Sequence, residues 1–264
     1  MSDFLGRIIE HKKEEIAAAA KTKPESVLRA EAEKPLARRP FMKRLASPGP
    51  YGMNVIAEIK RASPSKGPIR DVVDPAAYAR MYEQGGAAAI SVLTDRDYFG
   101  GTPEDLKKAR AASNLPVLRK DFLISAYQVY EAAAMGADAM LLIVRALEPS
   151  LLRDLITLAG DLGLDALVEV HNESEFETAE AAGATLIGVN NRDLVTFKTD
   201  IQTSLDLARR AAPGRVLVAE SGIHGRAQIE QLTEAGISNF LIGESIMRAD
   251  DPVRMLKTLH GVDA

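Results

Sequence analysis

The stretch NVIAEIKRASPSKGP, from Asn54 to Pro68, places an apolar strand directly before a polar loop. Its first part, Val55 to Ala57, is an apolar run typical of a buried strand. Because side chains alternate across a strand, Ile56, Glu58 and Lys60 share one face. The Ser-, Pro-, Gly- and Lys-rich residues that follow are typical of a loop. The stretch therefore predicts the floor of an active site, with a surface ion pair at a strand end as the alternative.

The same kind of strand end recurs along the chain as part of a repeat. Four glycines placed as helix stops are each followed by an apolar strand, at intervals of about 50 residues. Strands of a second kind lie between them and end in a charged residue. The helix-stop glycines are Gly86, Gly136, Gly183 and Gly236. The charged strand ends are Lys60, Lys120, Glu169 and Glu220. Together the two series predict eight strands.

Helical sequence fills the gap after each of these strands, and several segments begin with proline, which is favoured in a first helical turn. Eight strands alternating with eight helices predict an α/β fold, a closed (β/α)8 TIM barrel. An open doubly wound sheet is the alternative, but it does not predict a two-unit repeat, and no G-x-G-x-x-G motif is present. The predicted helices are 75–84, 103–112, 126–134, 149–162, 173–182, 203–211, 226–235 and 252–259.

We predict two parts of the chain, an N-terminal helical extension over residues 1–50 and the TIM-barrel catalytic domain over 51–264. The extension is too short and too thinly apolar to fold alone. Its first helix should carry the charges of residues 11–15 on the side away from the barrel, and a short second helix is predicted at Phe41–Leu45. The apolar residues of the first helix are Leu5, Ile8, Ile9 and Ile16.

The composition excludes several classes of function. With 264 residues, of which 46% are hydrophobic and 27% charged, the chain can bury a full core. The net charge of −4 offers no basic excess for binding nucleic acid. The absence of cysteine excludes disulfides and cysteine nucleophiles. The sequence has no signal peptide and no apolar run that would cross a membrane, so we expect a cytoplasmic protein without membrane contact.

The histidines do not have the paired spacing of metal ligands, and no partner cluster is evident beside them, so no metal site is predicted. They are His11, His171, His224 and His260.

The carboxyl ends of the strands form the active site of a TIM barrel. Counting back by two from each polar strand end puts an apolar residue below it, as an inward-facing layer requires. Two lysines then face three glutamates in one mouth, where pairing is the arrangement that costs least. A structural ion-pair ring is the alternative. The mouth residues are Glu58, Lys60, Lys120, Glu169, Asn190 and Glu220, above Ile56, Leu118, Leu167, Gly188 and Val218.

A phosphate site is predicted after the seventh and eighth strands, where barrels of this kind often bind phosphate. Ser221-Gly222-Ile223 follows the seventh strand and Gly243-Glu244-Ser245 follows the eighth. Glycine lets a phosphate approach the backbone, and free N–H groups at a helix start bind anions. The Glu244 side chain should point away from that anion. Ordinary glycine turns are the alternative.

Seven segments, taken together, closely resemble the indole-3-glycerol-phosphate synthase family of tryptophan biosynthesis. They occur in order at the predicted strand ends, and the resemblance spans the chain, most loosely in the extension. The segments are IAEIKRASPSKG (56–67), LTDRDYFGG (93–101), LRKDF (118–122), LVEVH (167–171), GVNNRDL (188–194), VAESGI (218–223) and FLIGESIMR (240–248).

The resemblance implies a carboxy-lyase that closes 1-(2-carboxyphenylamino)-1-deoxyribulose 5-phosphate to an indole, with loss of carbon dioxide and water and with no metal or organic cofactor. Some members of the family have serine at the position of Glu244, so we expect its N–H, and not its side chain, to bind phosphate. The implied catalytic residues are Glu58, Lys60, Lys120, Glu169 and Asn190. The substrate-binding candidates are Ser63, Phe99, Phe122, Leu141, Ile143, Arg192, Glu220, Ser221, Gly222, Gly243 and Glu244.

The residues suit this chemistry. Ring closure needs a proton for the ketose carbonyl, which suits the ammonium group of Lys120, and dehydration suits a carboxyl with a raised pKa, for which we choose Glu169. Lys60 either assists dehydration or anchors the substrate carboxylate, and which lysine gives which proton stays open. Phe99 and Phe122 are walls for a flat ligand or packing for a lid.

Two alternative functions are a Schiff-base aldolase with Lys120 as nucleophile and a non-catalytic partner subunit. The preceding isomerase of the pathway is excluded because its family uses a cysteine base, which this chain lacks. We expect a monomer whose partner is a small phosphorylated substrate.

Overall fold

In the computed structural model, eight parallel strands close into one barrel. The structure describes residues 3–63, 67–70, 72–193 and 196–262, so Pro64–Lys66 of the opening stretch and Leu194 of the fifth motif lie outside the described residues. The strands are β1 (Asn54–Ile59), β2 (Ala89–Leu93), β3 (Val117–Lys120), β4 (Ala139–Ile143), β5 (Asp165–Val170), β6 (Leu186–Asn190), β7 (Val216–Glu220) and β8 (Asn239–Ile242).

The barrel closes because β1 pairs with both β2 and β8, while every other strand pairs with its neighbours in the chain. The register brings the strand ends to one level: Leu93 lies beside Lys120, Ile143 beside Glu169, and Asn190 beside Glu220. The predicted (β/α)8 barrel is confirmed, with its charged strand ends at a common mouth.

The eight predicted barrel helices are present, with ends that differ by a few residues. The largest difference is the helix predicted at 203–211, which ends at Ala208. Its last predicted residues approach Pro213, and the residue before a proline is disfavoured in a helix. The helices of the barrel are α4 (Pro75–Gln84), α5 (Pro103–Ala112), α6 (Ala126–Met135), α7 (Pro149–Asp161), α8 (Glu173–Ala181), α9 (Gln202–Ala208), α10 (Arg226–Glu234) and α12 (Pro252–His260).

Five smaller elements were not predicted. A helix follows Pro24, a short helix follows β8, a 3-10 turn follows β4, and two-residue strands pair after β1. They are α2 (Glu25–Ala32), α11 (Glu244–Arg248), the 3-10 turn Val144–Ala146, and the strands Ala62–Ser63 and Gly67–Pro68.

The interior of the barrel is apolar below the mouth, as predicted. Ile56, Leu118 and Leu167 are fully buried in one cluster. Helix α3 (Phe41–Leu45), found with its predicted bounds, adds Phe41 and Leu45 to that cluster. The N–H of Met42 donates to Asp165 at the start of β5, 2.8 Å away. Helix α3 therefore covers the end of the barrel opposite the mouth.

The first helix, α1 (Asp3–Thr22), lies against the mouth of the barrel. Leu5, Ile8 and Ile9 are buried, as predicted for its apolar face. Lys12 contradicts the prediction that all the charges of residues 11–15 face away, because its side chain is only 4% exposed. Its ammonium group is buried because barrel carboxylates pair with it. Among the described residues, no helix is long and apolar enough to cross a membrane.

Candidate active site

The centre of the mouth is the ammonium group of Lys120, at the end of β3. Its Nζ lies 2.8 Å from Oε2 of Glu169 on β5 and 3.2 Å from Oε2 of Glu220 on β7. Both glutamates are buried. Gly188 on β6 leaves the room that this arrangement needs, because a Cβ there would overlap Oε1 of Glu220. The strand ends thus converge on one cation that lies between two glutamates.

A second ion pair lies beside the first, on β1 and just after it. Lys60 Nζ is 2.7 Å from Oε1 of Glu58. Glu58 is buried, while Lys60 reaches toward the cavity with 16% of its side chain exposed. A Cβ at Gly243, after β8, would come within 2.5 Å of Glu58 Oε1, so the glycine is needed for this pair to fit.

The charges of the central cluster are set by burial and by these short distances. Burial alone would lower the pKa of Lys120, but the charges of Glu169 and Glu220 outweigh it and raise that pKa above its ordinary value. Burial raises the pKa of Glu220 to about 8, because Lys120 offsets only part of the cost and the nearby charge of Glu169 adds to it. This direction favours the protonated form of Glu220 at neutral pH.

Glu169 behaves in the opposite way, so the prediction that its pKa is raised is wrong. Burial would raise it, but Lys120 and the imidazole of His171 outweigh burial and hold the pKa of Glu169 well below its usual range. Glu169 lies between Lys120 and His171, whereas Lys120 is the cation that pairs with Glu220. The two directions favour Glu169 as the carboxylate and Glu220 as the carboxylic acid.

His171 is a site residue that the sequence analysis missed. Its Nε2 lies 3.4 Å from Oε1 of Glu169, and its Nδ1 lies 3.0 Å from Oε2 of Glu175 on α8. The expectation that no histidine has a partner cluster is therefore wrong. The local spacing contained the signal, because His171 directly follows the last residue of β5, two residues after Glu169 and four before Glu175.

The same expectation is wrong for His11. His11 Nε2 lies 2.5 Å from Asp97 and 3.3 Å from Glu15, and the three residues could offer atoms to a cation within 4.8 Å of one another. All three are partly or well exposed and already pair with each other or with Lys12. Exposed acidic groups of this kind are common without a metal.

The glycine loops after β7 and β8 face the cavity, as predicted. Ser221 and Gly222 both have positive φ, 64° and 74°, a backbone shape that turns successive N–H groups to one side. Gly243 precedes the first turn of α11. The Glu244 carboxylate pairs with Arg248 at 3.1 Å, which turns it away from the loops. Ser245 Oγ is buried with no hydrogen-bond partner among the described residues, so it is available to an anion.

An apolar wall lies across the mouth from the glycine loops, on the β3 and β4 side of the barrel. The rings of Phe99 and Phe122 are 6.1 Å apart between centroids, and Leu141 and Ile143 are buried beside them. Helix α1 adds Phe4, whose ring packs edge-on against Tyr98 and Phe197. Further lining residues that the sequence analysis missed are Phe4, Leu5, Ile8, Leu93, Asp121, Phe197 and His224.

Every residue predicted for the site lines this one cavity, from Glu58 on β1 to Glu244 after β8. Asn190 and Arg192 already form hydrogen bonds within the protein. Asn190 Oδ1 accepts from the Arg192 backbone N–H at 3.1 Å, and the Arg192 guanidinium donates to the Phe197 carbonyl at 3.1 Å. Asn191 supports the loop from behind by donating to the Ser221 carbonyl.

Buried ion pairs fasten α1 over the cavity. Lys12 Nζ lies 2.8 Å from Asp95 and 3.2 Å from Asp121, the residue after Lys120. Asp121 also pairs with Arg119, at 3.2 Å. Burial would lower the pKa of Lys12, but Asp121 and Asp95 outweigh it and raise that pKa above its ordinary value. The extension and the strand that carries Lys120 are thus joined by charges that are costly to separate.

Comparisons with known proteins point to one family. The family model for indole-3-glycerol phosphate synthase matches residues 5–259. The indole-3-glycerol phosphate synthase of Syntrophobacter fumaroxidans is 53% identical over 264 residues, covering 100% of both chains. That of Desulfosudis oleivorans is 55% identical over 260 residues, covering 98% of this chain and 99% of the relative.

Solved structures extend the likeness to the fold alone. A thiamine phosphate pyrophosphorylase from Pyrococcus furiosus has 15% sequence identity and a TM-score of 0.61, covering 83% of this chain and 96% of that one. An N-acetylmannosamine-6-phosphate 2-epimerase from Clostridium perfringens has 16% identity and a TM-score of 0.58, covering 77% and 90%.

Proposed function

We propose that this chain, which belongs to the indole-3-glycerol phosphate synthase family, converts 1-(2-carboxyphenylamino)-1-deoxyribulose 5-phosphate to indole-3-glycerol phosphate with loss of carbon dioxide and water. The family is one of carboxy-lyases in tryptophan biosynthesis. The observation that carries the proposal is the Lys120 ammonium group, held between Glu169 and Glu220 in a cavity with glycine loops on one side and an apolar wall on the other.

The two sides of the cavity suit the two ends of this substrate. The phosphate would be held by the N–H groups of Gly222, Gly243 and Glu244, with the Ser63 and Ser245 hydroxyls nearby. The carboxyphenyl ring would lie against Phe99, Phe122, Leu141 and Ile143. A ligand fixed at both ends has its carbonyl carbon held close to the attacking ring carbon, which supplies part of the barrier reduction.

Ring closure needs an acid at the ketose carbonyl, and we assign this role to Lys120. As the ring carbon that bears the carboxylate attacks the carbonyl carbon, the carbonyl oxygen takes a proton from Lys120 and becomes a hydroxyl. The ring nitrogen becomes an iminium, into which the electrons of the carboxylate bond fall as carbon dioxide leaves. Glu220, protonated and 3.2 Å away, is placed to return a proton to Lys120.

Dehydration needs a base for a C–H proton and an acid for the leaving hydroxyl. Glu169 is the ionised carboxylate of the free site and takes the proton. Lys60 lies on the other side of the mouth beside Glu58, where it anchors the substrate carboxylate and then protonates the hydroxyl. Asn190 and Arg192 complete the contacts to the substrate.

The working unit we propose is one chain in the cytoplasm. The catalytic groups all lie in the barrel of residues 51–264, and the extension of residues 1–50 adds apolar lining through Phe4, Leu5 and Ile8. Sedimentation should give the mass of one chain at assay concentration, and a stable dimer would contradict this part of the proposal.

The test of the reaction is to mix the purified chain with the carboxyphenylamino deoxyribulose phosphate in buffer that contains a chelator and no added cofactor. We expect indole fluorescence to grow as carbon dioxide is released. Absence of signal, with restoration by a divalent metal or a nucleotide, would contradict the proposal. Covalent trapping of Lys120 by borohydride in the presence of substrate would instead favour the aldolase.

A further inference from the structure

His171 lies directly behind Glu169, on the side away from Lys120. Lys120 Nζ lies 2.8 Å from Oε2 of Glu169, and His171 Nε2 lies 3.4 Å from the other oxygen, Oε1. The His171 side chain is only 4% exposed, so bulk water does not screen this contact. Both oxygens of the proposed base are therefore faced by a cation or an imidazole.

The imidazole ring is itself held from behind by Glu175. Oε2 of Glu175 lies 3.0 Å from His171 Nδ1 and accepts the backbone N–H of His171 at 2.9 Å. The other oxygen, Oε1, accepts from Arg145 at 2.8 Å and from Asn172 at 2.9 Å. Charges of alternating sign thus run from the surface at Arg145 through Glu175, His171 and Glu169 to Lys120.

We propose that His171 is a positioning residue for Glu169: as an imidazolium held by Glu175, it fixes the free oxygen of that carboxylate and keeps it ionised for proton removal. The inference rests on the proposed function, in which Glu169 is the base. A purely structural role is the alternative, in which His171 only ties β5 to α8 through Glu175.

The electrostatic surroundings support the charged form of the ring. Burial lowers the pKa of His171, but Glu169 and Glu175 outweigh it and raise that pKa to about 9. The charged groups that face the ring are Glu169 from β5 and Glu175 from α8. Behind them stand Arg145 from the 3-10 turn and Lys120 from β3. The two carboxylates contact the ring directly, whereas each of the two cations contacts one of those carboxylates.

The first test compares the pH dependence of kcat/KM in wild type and in His171→Asn, which keeps a side-chain donor but removes the charge. Loss of an opposite charge at this range should move the acid limb up by about one pH unit or more. At a pH below the shifted limb, a shift of one pH unit lowers kcat/KM about tenfold. We expect this loss in kcat, with KM little changed. A uniform loss at every pH, or no loss, would overturn the positioning role.

A matched control is His260→Gln. His260 is also buried, but it lies in α12 beside Gly86 and Tyr51, outside the cavity. This variant should leave the acid limb where wild type has it. Glu175→Gln, which keeps the imidazole but removes its second carboxylate, should move the limb in the same direction as His171→Asn and less far.

The second test does not depend on turnover. The chain has four histidines, so their ring protons can be followed by NMR through a pH titration, and His171→Asn assigns one of them. We expect the assigned signal to titrate well above pH 7 in wild type and lower in Glu175→Gln. A value near 6.5, that of an isolated histidine, would overturn the inference even if the enzyme is active. If wild type forms no indole, the proposed function fails, and the titration still decides whether the ring is charged.

Discussion

The two ends of the barrel hold their buried carboxyl groups in different ways. At the closed end, Asn54 donates to the Asn239 side chain at 2.8 Å and Asn239 donates to the Leu217 carbonyl at 2.9 Å. Asp138 there accepts from the N–H groups of Val117 and Arg39 and pairs with Arg110. At the mouth, by contrast, Glu220 Oε1 is buried with no hydrogen-bond partner among the described residues, and so is the Ser245 hydroxyl beside it in the same cavity.

The difference separates stability from function. Satisfied buried groups lose little on folding, whereas an unsatisfied one costs free energy comparable to a lost hydrogen bond. At the mouth, a bound ligand can satisfy such a group. Changes at the mouth should therefore alter turnover and binding more than stability, and changes at the closed end should do the reverse.

The largest effect should come from Lys120→Ala, which removes the proposed acid. We expect kcat to fall by about two to four orders of magnitude. The fold should persist, because Glu220 is neutral at pH 7 and Glu169 keeps His171 as a partner. Steady-state kinetics and a circular dichroism melt measure the two properties. Lys107→Ala, at an exposed pair on α5, is the control. A Lys120→Ala enzyme within about threefold of wild type would contradict the role.

The opposite pattern is expected for Asp138→Ala at the closed end. Removing one partner of a buried ion pair leaves Arg110 and two backbone N–H groups without their acceptor. The free energy of unfolding should fall by about 3 kcal/mol, measured in urea, with kcat of the folded enzyme close to wild type. Asp161→Ala, at an exposed site of α7, should leave stability nearly unchanged. Equal unfolding midpoints for wild type and Asp138→Ala would break the contrast between the two ends.

Gly243→Asp tests the binding side of the mouth. The new side chain would place a negative charge at the proposed phosphate site and a Cβ within 2.5 Å of Glu58 Oε1. We expect inorganic phosphate to bind roughly tenfold more weakly or worse by calorimetry, a loss of about 1.4 kcal/mol. Gly160→Asp is the matched control, since no atom lies within 4 Å of a Cβ there. Equal phosphate binding by wild type and Gly243→Asp would mean that the phosphate lies elsewhere.

Much of the closed end and of the scaffold could be predicted from sequence. Helix starts at Pro75, Pro103, Pro149 and Pro252 follow local rules of backbone geometry, and so does the glycine that ends α6, Gly136. The inward-facing residues of the strands follow from a period of two. These features depend on neighbours in the chain, so the sequence contains them directly.

The residues that form the mouth could be predicted from the sequence, but their protonation states could not. Strand ends identified Lys120, Glu169 and Glu220, but which glutamate keeps a proton depends on a third group, His171, and on distances of 3 Å. Lys12 was misplaced for the same reason, because a lysine at that position is buried only when Asp95 and Asp121 arrive from the barrel. Long-range contacts of this kind leave no periodic trace in the sequence.

The smallest expected effect is in the pH dependence of stability, which tests the proton on Glu220. A carboxyl whose pKa is raised in the folded state holds a proton that the unfolded chain releases, so stability should fall as pH rises from about 4.5 to about 8. His171, raised to about 9, contributes a fall of the same sign between its ordinary value of 6.5 and 9. Glu220→Gln removes only the first contribution.

Between pH 6.5 and 8, the free energy of unfolding of wild type should therefore drop more than that of Glu220→Gln, by on the order of 1 kcal/mol. Urea unfolding at a series of pH values measures both slopes. Glu230→Gln, at an exposed pair on α10, should keep the slope of wild type. If wild type and Glu220→Gln lose stability equally across this range, Glu220 is ionised in the free enzyme. It could not then return a proton to Lys120, and that step would have to come from solvent or from Lys60.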